Sequence, residues 1–214
     1  MSDIFKEIED ELRRENLAKL WQRYGYYVLG FLAAVIVVTG VVVGWRQYAA
    51  RLRAEEGERY QVALDLMQGD KLPEAKAAFA ALAKGSDERA VLARFEGAAL
   101  LARSGDAAGA AARYEAIAAD AAVDHTFRDL ATILSAQFGL ASGDPHAIIK
   151  RLQPLADAAG AWRPSALELT ALAQLKAGDK ASARANYQRL ADDETAPRGM
   201  RTRATEMVAA LAQL

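Results

Sequence analysis

SGDAAGAAARYEAI, residues 104–117, decides how most of this chain folds. Gly105 can adopt the left-handed backbone that ends one helix, and Asp106 can cap the free amides that begin the next. Ala110, Tyr114 and Ile117 follow at intervals of four and three, which puts the three side chains on one helix face. The same arrangement returns along the chain. Gly69-Asp70, Gly143-Asp144 and Gly178-Asp179 join Gly105-Asp106, at intervals of 36, 38 and 35 residues. The matching face triads are Ala75, Phe79 and Leu82; Ile148, Leu152 and Leu155; and Ala183, Tyr187 and Leu190. The small residue lets the preceding helix come close, while the aromatic and the aliphatic fill the space between neighbouring hairpins.

This reading predicts helices at about 54–68, 88–104, 125–142 and 164–177 before the turns, each paired with a second helix after its turn. The third unit departs most, with Ile148 for the small residue, Leu152 for the aromatic and Pro154 inside the second helix, so a short or kinked helix is expected there. Residues 197–214 set Met200, Ala204, Met207, Val208 and Leu211 on one face, as a closing helix over the last hairpin would. No strand pattern appears. The expected fold class is all-α: one N-terminal transmembrane helix, then an α-solenoid of about four hairpins and a C-terminal capping helix.

Upstream lies YYVLGFLAAVIVVTGVVVGW, residues 26–45, with no charge between Arg23 and Arg46. Twenty residues of helix span roughly 30 Å, the thickness of a bilayer's hydrocarbon core. Trp21, Tyr24, Tyr26 and Tyr27 flank one end and Trp45 and Tyr48 the other, as aromatic girdles at a lipid–water boundary do. A signal peptide fits poorly, because a mixed-charge segment of over 20 residues precedes the run and RQYAARLRAEE follows it. A buried core helix would seldom need an apolar surface on all sides. The layout is therefore a tail at 1–24, a span at 25–46 and a helical body at 47–214.

Within the span, Gly40 and Gly44 leave a strip without side chains, as do Gly30 and Ala34 earlier, and another helix could pack closely there. Gly40 and Gly44 are the candidate residues for such packing, including homo-oligomer formation. The tail, SDIFKEIEDELRRENLAKLWQRY, reads as an amphipathic helix through Ile4, Phe5, Ile8 and Leu12, then Leu17, Leu20, Trp21 and Tyr24 after a phase slip. Five Lys and Arg precede the span and four follow within twenty residues, a slight lean towards a cytoplasmic N-terminus.

The chain has 214 residues and a net charge of −1, and residues 46–214 balance 22 basic against 22 acidic residues. That balance gives no electrostatic case for nucleic acid. Without cysteine, disulfides, thiol catalysis and cysteine zinc sites are excluded. His125 and His146 lack a second histidine at ligand spacing, and read as a helix opener and a first-turn residue. No phosphate-binding or nucleophile motif occurs, so neither an enzyme nor a cofactor or metal is expected. Stacked hairpins work through their surface, and the first helix of each pair tends to line the concave side. By position relative to the turns, Arg59, Phe95, Gln137 and Glu168 are the candidate protein-binding residues.

The repeated turns and triads resemble tetratricopeptide repeats, whose period is 34 and whose middle reads small, Gly-Asp, then Ala-x-x-x-aromatic. Four degenerate units cover about residues 54–191. The whole layout, a short tail, one anchor ending in GWRQY and a four-repeat body, is similar to the YfgM-type family, the ancillary subunit of the SecYEG translocon. The start MSDIFKEIEDELRRENLAKLWQRYG resembles alphaproteobacterial tetratricopeptide-repeat members. That resemblance implies an inner-membrane protein with a cytoplasmic N-terminus and periplasmic repeats. It also implies the partners: the translocon, periplasmic chaperones and exported clients. A scaffold for another envelope complex (cytochrome maturation, division or outer-membrane assembly) and a self-associating structural protein are the alternatives.

Overall fold

The structure is a computed structural model. It describes the backbone of residues 2–85 and 87–213, and the side chains of residues 23–213 except those at 25, 28, 33, 52, 53, 56 and 86. The described residues form nine helices and no strand. They are α1 (Ser2–Gln68), α2 (Leu72–Leu82), α3 (Glu88–Arg103), α4 (Ala107–Ala119), α5 (His125–Gly139), α6 (Pro145–Asp157), α7 (Arg163–Lys176), α8 (Lys180–Ala191) and α9 (Arg198–Leu211). The chain divides into two compact units, Met1–Gly57 and Glu58–Leu214.

The first unit is helical backbone throughout its described length. Its stretch Leu29–Arg51 is long and apolar enough to cross a membrane, and it overlaps the 25–46 expected. None of the described side chains in this window is buried. Tyr26, Ile36 and Trp45 are 85%, 71% and 73% exposed. Of the amphipathic pattern expected for residues 2–24, all but Tyr24 lies outside the described side chains, and Tyr24 is exposed.

The second unit is a series of hairpins: the end of α1 with α2, then α3 with α4, α5 with α6, and α7 with α8, followed by α9. Its core is three successive apolar clusters. Ala63, Ala75, Phe79, Ala93 and Leu100 form the first, between the end of α1, α2 and α3. Ala98, Ala110, Tyr114, Ile117, Val123 and Ala131 form the second, across α3, α4 and α5. The third runs from Ile133 and Ala136 through Leu152, Leu167, Tyr187 and Leu190 to Ala204 on α9. Each cluster draws on adjacent hairpins, the nearest-neighbour packing that defines a solenoid. All twelve triad residues lie in these cores: ten are buried, and Leu82 and Leu155 are half-buried. On α9, Ala204 is buried, and Met200, Met207, Val208 and Leu211 pack against the third cluster as expected of a closing helix.

The turns follow the expected mechanism at two of four positions. Gly105 (φ +88°) and Gly178 (φ +85°) take the left-handed conformation. Asp106 N–H then bonds to Leu101 O and Asp179 N–H to Gln174 O, both at 2.9 Å, closing Schellman caps. Asp106 and Asp179 also accept from the amides of Gly109 (2.8 Å) and Ser182 (3.0 Å), starting α4 and α8.

The first turn is shifted by one residue. There Asp70, not Gly69, is left-handed (φ +58°), and Lys71 N–H bonds to Leu66 O at 2.9 Å. Asp70 is thus spent on ending α1, and Lys71 at the start of α2 offers no capping side chain. Pro at the first or second position of α2 reduces the number of amides that need one. At the third turn Asp144 caps α6 through His146 N–H at 3.0 Å, but Gly143 is not left-handed. Its role is close approach, since a Cβ there would lie 2.8 Å from Gly139 O.

Two expectations about helix ends are corrected. The helices preceding the second, third and fourth turns stop one to three residues earlier than predicted, at Arg103, Gly139 and Lys176. And of the short or kinked helix expected for α6, the short form is not found: it has 13 residues, more than α2 or α8, and carries Pro154 inside it. Pro154 sits in the last turn, where its ring removes one bond near the helix end rather than in the middle, and Ala158 N–H still bonds to its carbonyl at 3.1 Å.

Candidate functional surface

Apolar burial saturates the interior of the second unit, so what it offers to other molecules is its outer surface. The first helices carry the four residues singled out from the sequence. Arg59 and Gln137 are exposed. Phe95 is half-buried in the second cluster, with ring centroids 5.6 Å from Tyr114 and 6.1 Å from Phe127. Its aromatic surface is used in packing. Glu168 is half-buried and accepts from Arg203 on α9, at 3.2 Å from Nε and 3.0 Å from Nη2. It fastens the closing helix to the last hairpin. The four therefore separate into two exposed residues and two with structural partners.

Position relative to the turn missed other first-helix residues. Val62, Leu92 and Leu172 are large apolar side chains left exposed, on the end of α1, on α3 and on α7. Helical periodicity assigns most apolar residues to a core, which is why these three were not distinguishable from it in the sequence.

The second helices present a different relief. Alanines and Gly97 leave grooves between successive second helices, floored by the first helix between them. One groove of about 360 Å³ lies between α2 and α4 over α3, with Lys76 on one wall, Arg113 on the other and Arg94 in the floor. The next, of about 270 Å³, lies between α4 and α6 over α5. There Arg151 of α6 donates to Glu115 of α4, and at 3.0 Å to Ser135 of α5. Across α6 and α8, Arg189 reaches Asp157 and Ala156 O, both at 3.1 Å.

Local electrostatics are those of a scaffold. Asp120 is held below the usual carboxylate range by the Ala122 amide, then by the Arg94 guanidinium at 2.8 Å. Asp193, almost fully buried, is held low by the Thr195 hydroxyl against the opposing effect of burial, with the Thr195 amide and Arg163 adding to it. His125, opening α5, is exposed and has Nδ1 3.6 Å from Asp124, which caps that helix through Thr126 N–H. His146, in the first turn of α6, is exposed. Among the described residues, no three His, Asp or Glu side chains are grouped as metal ligands.

In the first unit, a Cβ added at Gly30, Gly40 or Gly44 would meet nothing within 4 Å. The strip formed by Gly40 and Gly44 is open along its length.

The family model of the tetratricopeptide repeat-like domain matches residues 18–208, covering the apolar stretch and all four hairpins together. No curated protein matches the chain.

Proposed function

Because the chain belongs to the tetratricopeptide repeat-like domain family, we propose that it is a membrane-anchored, protein-binding adaptor without catalytic activity. One observation carries this reading: a single family model spans both the exposed apolar helix and the hairpins. Such repeats engage other proteins through surface, and their presence supports protein partners in general. Anchoring confines the array to a thin layer, which raises its effective concentration near membrane partners without any new contact.

In its finer form, the proposal is an ancillary subunit of the SecYEG translocon in the inner membrane. The N-terminus is cytoplasmic, and the repeats are periplasmic, where they assist exported proteins beside periplasmic chaperones. The resemblance in layout supports this form, and the charge balance leans the same way. Arg59 and Gln137 are the exposed first-helix positions proposed for client contact, with Phe95 on the first helix between them and Glu168 on the one beyond. The near-neutral body favours shape and apolar contact over a strong electrostatic grip, and Val62, Leu92 and Leu172 supply apolar surface for it.

Affinity capture of the full chain from detergent-solubilised membranes tests the finer form. Translocon subunits and exported proteins should copurify. Capture of components of a different envelope complex would move the protein to that complex. A second reading has its own observation, the open strip at Gly40 and Gly44. If the anchor self-associates, replacing both with Ile should abolish association in membranes, and unchanged association would remove that role.

A further inference from the structure

The groove between α2 and α4 differs from its successor in one respect that the repeat register exposes. Arg113 and Arg151 are equivalent: each stands three residues after the first member of its triad, Ala110 or Ile148. Arg151 finds a carboxylate on the preceding second helix, Glu115, which stands five residues after Ala110. The residue five after Ala75 is Ala80, so the position that carries a carboxylate for Arg151 carries only a methyl group in the repeat before Arg113. Ala80 lines the groove, as do Lys76 and Arg113, and all three are exposed. The one other cation lining it, Arg94, is already occupied by Asp120 at 2.8 Å and Ala83 O at 3.3 Å. No carboxylate lines the groove. Beside Arg94, its α3 floor is apolar, with Gly97 and Leu101 half-exposed in it.

We infer that this groove binds an acidic–apolar peptide segment of a partner protein, with a large apolar side chain over Gly97 and Leu101 on the α3 floor and a flanking carboxylate between Lys76 and Arg113. The inference rests on the protein-binding reading above and gives that reading a second face, made by second helices. Charge complementarity selects the carboxylate, because two cations face each other across an apolar floor at the point where the next repeat supplies its own anion. The volume, about 360 Å³, suits one or two large side chains. The groove is open along its length, which suits a backbone passing over it; an acyl chain laid there would stay wetted on one side.

The test uses the full chain in detergent micelles and a fluorescein-labelled peptide, Gly-Ser-Asp-Leu-Phe-Glu-Ser-Gly, followed by anisotropy. Saturable binding is expected. Lys76→Glu and Ala80→Glu should each weaken it at least fivefold, the second by giving Arg113 an internal partner. The Asn/Gln version of the peptide should bind as weakly, whereas Arg151→Gln, in the next groove, should leave binding unchanged. Both groove positions are exposed, and circular dichroism of the variants checks that the fold is kept. Absence of saturable binding, equal binding by both groove variants, or displacement by oleate together with equal binding of the neutral peptide would overturn the inference. The adaptor reading fails separately: it falls if no membrane or exported protein copurifies with the wild-type chain, whatever the peptide does.

Discussion

At the scale of single residues, the turns make the sharpest statements. The Gly-Asp pair has two duties, a left-handed residue to end one helix and a carboxylate to begin the next, and Asp70 performs the wrong one of the two. A residue with a Cβ is strained in that conformation, Asp less than most. Asp70→Gly should therefore raise stability by about 0.5 kcal/mol, while Gly105→Ala, which places a Cβ in the left-handed region, should lower it by about 1 kcal/mol. Chemical denaturation of the two variants in micelles measures both. A buried carboxylate adds a pH dependence. Asp193 has its folded-state value depressed, so its contribution to stability is present above the ordinary carboxylate value and is lost as pH falls through and below it. Stability should decline in acid below about pH 4, and Asp193→Asn should flatten that part of the profile. A slope unchanged in the variant would show that other carboxylates set it.

At the scale of elements, helices are held as much by residues of other repeats as by their own sequences. Lys176, at the end of α7, donates to Leu140 O (2.7 Å), Ala141 O (3.0 Å) and Gly143 O (3.3 Å) just past the end of α5. It places a cation where the dipole of α5 is negative and its carbonyls lack partners. Lys176→Met should lower stability by about 0.5–1 kcal/mol. Leu152 of α6 is fully buried in the third cluster, and Leu152→Ala should cost about 2–5 kcal/mol by leaving a cavity between two hairpins. The triads were legible in the sequence because helical spacing and the 35–38 residue return are one-dimensional signals. The Lys176 cap was not, since it joins residues over 30 positions apart whose proximity only the stacking creates. Val123 and Ala196 escaped for a related reason: they sit in connections between hairpins and are buried by neighbours, with no helical periodicity to announce them. The displaced first cap turns on a one-residue slip that the letters Gly-Asp cannot show. Of the four candidate surface residues, chemistry alone could not tell exposed Arg59 and Gln137 from Phe95 and Glu168, because the partners of the latter two, Tyr114, Phe127 and Arg203, come from other helices.

At the scale of the whole molecule, two physical demands are written into one chain. The hairpins bury their apolar residues against one another, so each needs its neighbours and the last needs α9. Among the described side chains of Leu29–Arg51 none is fully buried, and those up to Trp45 leave an apolar surface to be covered. A bilayer covers such a surface on every side at once. Orientation is then a separate question with its own readout: alkaline phosphatase fused after residue 214 should be active if the repeats are periplasmic, and a stable but inactive fusion would place them on the other side. The claim beneath all of these is that the apolar helix sits in lipid. Alkaline carbonate extraction of membranes from cells producing the full chain tests it most directly. The protein should remain in the membrane pellet and be released only by detergent; its appearance in the carbonate supernatant would contradict the account.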